Sequence, residues 1–291
     1  TGANTELIFD GASMAINPEG KPVHQMPFFE EAVETFSIDE LICKPANAEV
    51  QCADPVALIH KALVTGIRDY FRKMNFKTAV LGLSGGIDSA VSLCLVAEAL
   101  GSENTTALLL PSRYSSGHSI SDSVKLARTL GVRYEIISIE KTFTVLEDTL
   151  SRLFAGKESD VTEENIQARI RATILMAFAN KFGSILINSS NKSEAAVGYG
   201  TLYGDMAGGL SVLGDVYKTD VYMLARHINK AMEIIPENII SKPPSAELKF
   251  NQLDTDSLPE YSILDPILYQ YIELQKPADS IDHQGAGRNT V

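Results

Sequence analysis

The chain has 291 residues, 45% of them hydrophobic and 21% charged, with a formal net charge of −12. That length buries a sizeable core and holds one large domain or two, and the acidic balance disfavours nucleic acid and anionic membrane as partners. No apolar stretch reaches bilayer-spanning length, no signal peptide is visible, and Cys43, Cys52 and Cys94 lack metal-ligand spacing, so a reduced, cytoplasmic setting is expected.

The first forty residues read as meander pieces. Short strands are expected at 6–9 and 13–16, a turn at Asn17-Pro18-Glu19-Gly20, and a further strand at 32–36. Asp54-Pro55 has the form of an N-cap followed by proline in the first helical turn, opening a helix to about Lys73. Strand and helix then alternate: strand 78–83, a helix to Leu100, strand 106–110, helix 121–130, strand 133–138, helix 142–154, helix 163–181 and strand 184–187. Such alternation predicts an α/β fold, a doubly wound and mainly parallel sheet with helices on both faces. Residues 198–214 form a glycine-rich functional loop, a helix is expected over 216–229, Pro243-Pro244 breaks the chain, and a last helix is expected over 266–275. The tail after Pro277 is polar and expected to be poorly ordered. Cys94, inside the helix that ends at Leu100, is expected to be a small core residue.

The chemistry concentrates in Ser84-Gly85-Gly86-Ile87-Asp88-Ser89, between a buried strand and a helix start. A glycine-rich turn there aims backbone N–H groups at an anion and lets the backbone approach it closely. Asp88 would repel phosphate unless a cation stands between them, which makes it a candidate Mg²⁺ ligand. Neither the Gly-x-x-x-x-Gly-Lys-Ser/Thr loop nor the Gly-x-Gly-x-x-Gly fingerprint is present.

The six-residue loop resembles that of the ATP pyrophosphatases, which cleave ATP between its α and β phosphates. Asn165-Ile166-Gln167-Ala168-Arg169-Ile170-Arg171, Asn188-Ser189-Ser190-Asn191-Lys192-Ser193-Glu194, Tyr203-Gly204-Asp205, Lys218, Pro244-Ser245-Ala246-Glu247-Leu248 and Asp256-Ser257-Leu258-Pro259-x-Tyr261 follow in order. With the loop, these resemble the synthetase domain of glutamine-dependent NAD synthetases over residues 54–268. The resemblance implies an adenine nucleotide alpha hydrolase-like, Rossmann-like fold over 41–291. Residues 1–40 are similar to the end of that family's nitrilase-like glutaminase domain. That family's glutaminase uses a Cys, a Glu and a Lys located earlier in its chain, and none of the three cysteines here sits in a matching context, so the chain alone is expected to need free ammonia. The start at Thr1 and the end at Arg288-Asn289-Thr290-Val291 read as cuts in a longer chain.

The implied reaction converts deamido-NAD, ATP and ammonia to NAD, AMP and pyrophosphate through an acyl adenylate. In it, Gly82, Leu83, Ser84, Gly85, Gly86, Ile87, Asp88 and Ser89 hold the ATP phosphates, together with Ser189, Lys218 and Ser245. Asp88 and Glu194 are the implied Mg²⁺ ligands, and with Lys218 the implied catalytic set. Asn165, Arg169, Glu194, Tyr199 and Asp205 are implied to contact deamido-NAD, with a role for Asp205 toward ammonium also open. Each has a plainer reading: a first-turn helix acid for Glu194, solvated surface for Lys218, a helix cap for Ser189 or Ser245, a surface ion pair for Arg169, packing for Tyr199. Ammonia-dependent relatives carry basic residues where Leu109 and Leu202 stand, so Arg113 is expected to supply the missing charge. His118 reads as a solvent-facing loop histidine or a proton shuttle. The resemblance also implies a homodimer. Another ATP pyrophosphatase, such as a GMP or asparagine synthetase, and a nucleotide-binding module without turnover are the competing readings.

Overall fold

The computed structural model describes residues 1–4, 7–43 and 54–281. Thr5, Glu6, Cys52 and the terminal residues 282–291, on which several expectations fall, lie outside that set. The chain forms two compact units, Thr1–Asn75 and Phe76–Val291, so the expected boundary at residues 40/41 falls inside the first.

In the first unit β1 (Gly2–Asn4) pairs antiparallel with β2 (Leu7–Phe9), and β3 (Met14–Ile16) with β4 (Pro22–Gln25). The turn between β3 and β4 is held by Asn17, whose Oδ1 accepts from the backbone N–H of Glu19 and of Lys21. The expected strand at 32–36 does not form: the segment has no ladder partner, and Val33 is 96% exposed. A short α1 (Ile38–Cys43) follows. In α2 (Pro55–Met74) the Asp54 side chain accepts from Val56 N–H, and Asn75 closes the helix in the left-handed conformation (φ +58°). Asp69 reaches from α2 to accept the Ala3 N–H at 2.8 Å, and Gly66 leaves room for Ile8.

The second unit carries a five-stranded sheet with every pairing parallel. Its strands are β5 (Ala79–Gly82), β6 (Thr105–Leu109), β7 (Arg133–Ile136), β8 (Ile185–Asn188) and the two-residue β9 (Leu210–Ser211). Ala79, Val80 and Leu81 of β5 are fully buried, as a central strand covered on both faces requires. The helices between strands are α3 (Ile87–Leu100), α4 (Gly117–Leu130), α5 (Glu140–Leu150) and α6 (Val161–Phe182). Nine residues of α3 are buried, Cys94 among them, which matches its apolar and small-residue content all round. Helix α6 opens on a capping box between Asp160 and Glu163 and ends at Gly183 (φ +66°). Val80, Leu108, Ile139, Phe143, Ile170 and Leu186 form one core cluster from strands and helices.

After β8 come α7 (Lys192–Val197), β9, α8 (Lys218–Ile228), α9 (Glu237–Ser241) and α10 (Tyr261–Ile272). Helix α10 starts five residues before the expected Pro266, which lies inside it. Strand order β7-β6-β5-β8-β9 reverses direction between β5 and β8. Ligands of such sheets sit beyond the carboxyl ends of the strands at that reversal.

Candidate active site

Beyond the ends of β5 and β8 lies a cleft of about 850 Å³. Gly86 stands at the N-cap of α3 with no side-chain cap, so the helix's opening amides remain available to an anion. The two serines of the loop brace it. Ser84 Oγ accepts from Gly86 N–H and lies 3.2 Å from Ser89 Oγ, which donates to the Gly86 carbonyl. Gly85 has φ +83°, and a Cβ there would lie 2.7 Å from the Ser119 carbonyl oxygen. Two independent constraints thus demand glycine at this position.

From the end of β8, Asn191 caps α7 in a reciprocal box with Glu194. The Asn191 side chain, fully buried, also donates to Asp88 Oδ1 at 2.9 Å, tying the two strand ends together. Lys218 opens α8, an end where the helix dipole disfavours a cation. Its side chain is 3% exposed, and Nζ donates to Asp88 Oδ2 at 2.5 Å and to Glu194 Oε1 at 3.2 Å. Nζ also stands 5.2 Å from the centre of the Tyr261 ring. The backbone N–H groups of Lys218 and Thr219 donate to Ser193 Oγ and Asp265 Oδ2, with Ser193 itself donating to Asp265.

Burial, then the Asp88 charge, pushes the Glu194 carboxyl up to about 7. Burial works most strongly against the Lys218 ammonium, yet the Asp88 and Glu194 carboxylates raise its pKa above the usual lysine value. Asp254, 4% exposed, is raised by burial while accepting from the hydroxyls of Tyr199 (3.2 Å) and Tyr261 (3.0 Å). Among the described residues no three His, Cys, Asp or Glu side chains form a metal site. A pair of carboxylates with one of them driven toward protonation suits a hard divalent cation whose remaining ligands are phosphate and water oxygens, as Mg²⁺ takes.

The cleft lining includes Gly82, Leu83, Ser84, Gly86, Ile87, Asp88 and Ser89, and also Ser189, Glu194, Lys218 and Ser245. Lys218 is therefore buried and paired, not solvated surface. Ser245 caps no helix: no helix follows it, and its Oγ accepts from Glu247 N–H. Asn165 and Arg169 do share a helix face, and that face meets the loop after α7. Asn165 Oδ1 accepts from Thr201 Oγ1, while Arg169 Nε donates to the Leu202 carbonyl. Asn165, Tyr199 and Asp205 line the cleft, whereas Arg169 is exposed and lies outside its lining.

Arg113 does not supply cleft charge. It turns to α5, pairing with Glu140 at 2.6 Å and Glu147 at 3.0 Å, outside the lining. The expectation failed because spacing in a loop does not encode which way a long side chain turns. His118 is exposed in the first turn of α4, not in a loop. Asn191, Asp254 and Arg171 carry site geometry without having been assigned roles. Asn191 and Arg171 stood inside motifs already quoted; a buried acid such as Asp254, in a polar stretch, gives no local signal.

The family model described as NAD synthase matches residues 59–291. The chain belongs to the NAD synthase family. It is 46% identical over 303 residues to the glutamine-dependent NAD(+) synthetase of Rhodobacter capsulatus, covering all of this chain and 55% of that protein. It is also 46% identical over 294 residues to the enzyme of that name from Synechocystis, covering all of this chain and 52% of that one. Among solved structures, the glutamine-dependent NAD+ synthetase of Acinetobacter baumannii, in complex with ADP, matches with TM-score 0.75 and 38% identity, over 98% of this chain and 52% of that one. NMN synthetase from Francisella tularensis matches with TM-score 0.67 and 30% identity, over 74% of this chain and 87% of that one. The chain thus spans about half the length of the curated relatives it matches, and the fold is the PP-loop, Rossmann-like one. No helix among the described residues is long and apolar enough to cross a membrane.

Proposed function

We propose that the chain carries the synthetase activity of a glutamine-dependent NAD synthetase: ATP-dependent amidation of deamido-NAD to NAD. The observation that carries this reading is the convergence of Asp88, Glu194 and Lys218 at the mouth of an uncapped helix N-terminus, at the sheet's reversal point. The amides of Gly86 to Ser89 and the Ser84 and Ser89 hydroxyls bind the triphosphate, with Ser189 and Ser245 also in the cleft lining. The nicotinate carboxylate attacks the α-phosphorus, and the bond to the β-phosphate oxygen breaks, releasing pyrophosphate. Ammonia then adds to the acyl carbon, and AMP departs with one former carboxylate oxygen. Lys218 holds positive charge against the departing phosphates, a stabilisation that grows as charge moves onto the leaving group. Mg²⁺, held by Asp88 and Glu194, would draw charge off the phosphoryl oxygens. Asn165, Tyr199 and Asp205 orient deamido-NAD within the cleft, and Arg169, outside its lining, holds the Leu202 carbonyl of the adjoining loop.

In the same reading the ammonia derives from glutamine, residues 1–40 being akin to part of a glutaminase domain, and free ammonium serves as nitrogen donor in the assay. A homodimer and a cytoplasmic setting belong to the same reading. Its test is deamido-NAD carrying ¹⁸O in the nicotinate carboxylate, with ATP, Mg²⁺ and ammonium. Label must appear in AMP; unlabelled AMP alongside NAD would rule out the acyl adenylate.

A further inference from the structure

The cleft is acidic, with eight Asp and Glu side chains in its lining against four Lys and Arg. Three of those four cations are already paired. Lys218 meets Asp88 and Glu194, Lys242 meets Glu247 at 3.5 Å, and Lys249 meets Glu164 at 3.3 Å. Arg171 is the exception: among the described residues no carboxylate lies within ion-pair distance of it.

Its guanidinium is nonetheless fixed in place. Nε donates to the Leu110 carbonyl at 2.9 Å, and Nη2 lies 3.4 Å from Ser112 Oγ. Ser112 Oγ in turn donates to Gln167, which is fully buried and donates on to the Leu248 carbonyl. These bonds use two of five N–H donors. Leu110 directly follows β6, the neighbour of β5, so Arg171 stands beyond the strand ends beside the phosphate loop. A half-buried, pre-oriented guanidinium that burial works against, with Glu247 and Asp205 acting on it only from beyond ion-pair distance, suits a bidentate oxyanion.

We infer that Arg171 is a ligand-binding residue of this cleft, receiving a phosphate oxygen of a bound nucleotide. The inference rests on the NAD synthetase reading, under which either the nucleoside triphosphate or the dinucleotide offers that oxygen. The test is calorimetric titration of the full chain with α,β-methylene-ATP plus Mg²⁺ in one arm and deamido-NAD in the other, for wild type, R171Q, R171K and S112A, with thermal melts as a fold check. Wild type binds both ligands. R171Q weakens one of them about tenfold or more, as loss of a charged hydrogen-bonding pair should, and the affected arm identifies the ligand. S112A stays within about twofold of wild type. Unchanged affinity of R171Q in both arms overturns the inference, and so does an equal loss in S112A, which would make Arg171 a brace for residues 110–112. If R171Q does not fold, R171K decides: it keeps the charge but not the fork, so unchanged affinity for both ligands is contradictory. A wild type that binds neither ligand sinks the parent reading and this inference together.

Discussion

Lys218 shows how one side chain makes a site from distant segments. It is buried, it begins a helix at the unfavourable pole, and it bridges the carboxylates of Asp88 and Glu194, the second of which burial pushes up. Lys218→Met leaves those carboxylates facing each other unpaired, which is expected to cost about 3–5 kcal/mol in urea unfolding and to abolish turnover. A stability within about 1 kcal/mol of wild type would deny the cluster its structural role. Arg113 is the contrasting case. It is exposed and spends its charge on Glu140 and Glu147, so Arg113→Ala is expected to lose about 1 kcal/mol or less and to leave the KM for ATP unchanged. A KM rise of tenfold would return it to the site. At Cys94, burial and then Glu98 push the thiol up to about 12, well above a free thiol. At pH 8 the raised value leaves almost no thiolate, so iodoacetamide should miss Cys94 in the native chain and label it in urea, as read by peptide mass spectrometry. Rapid native labelling would contradict its core position.

At the scale of elements, the β5–loop–α3 unit was legible because all its signals are local. An apolar run, two glycines and a helix start lie within a dozen residues, and Gly85 meets both a positive φ and the Ser119 backbone. Gly85→Ala should therefore destabilise more than Gly131→Ala, which has φ +69° but only an ordinary contact at 3.8 Å. The expected costs are about 2–3 kcal/mol against about 1 kcal/mol, with ATP affinity lost only at Gly85. Equal effects at both sites would mean that strain alone governs the loop. Other elements were hidden for physical reasons. β9 is two residues long, α7 six, and neither length carries a periodicity. Residues 32–36 have strand composition but no ladder partner, and composition alone does not supply one. Helix α10 reads as starting at its proline, yet Pro266 sits within it, because apolar Tyr261, Leu264, Ile267 and Leu268 bury that face.

For the whole molecule, alternation of strand and helix gave the parallel sheet, and the sheet's reversal point explains why segments a hundred residues apart converge. What one dimension does not carry is which side chains meet there. The Asp88–Asn191 and Tyr199–Asp254–Tyr261 bonds, and Arg171 held by neutral partners with no direct ion pair, emerge only from the folded cleft. Family resemblance located Glu194 and Lys218, which spacing alone left as helix acid and surface lysine. The central claim is that this cleft activates a carboxylate of deamido-NAD with ATP. Its most direct test is pyrophosphate release from ATP, Mg²⁺ and ammonium, with deamido-NAD, with nicotinate mononucleotide, and with neither. The expected result is release that requires deamido-NAD and matches NAD formed mole for mole, and that disappears in Asp88→Asn. Release that ignores deamido-NAD, or that follows the mononucleotide instead, would contradict the account.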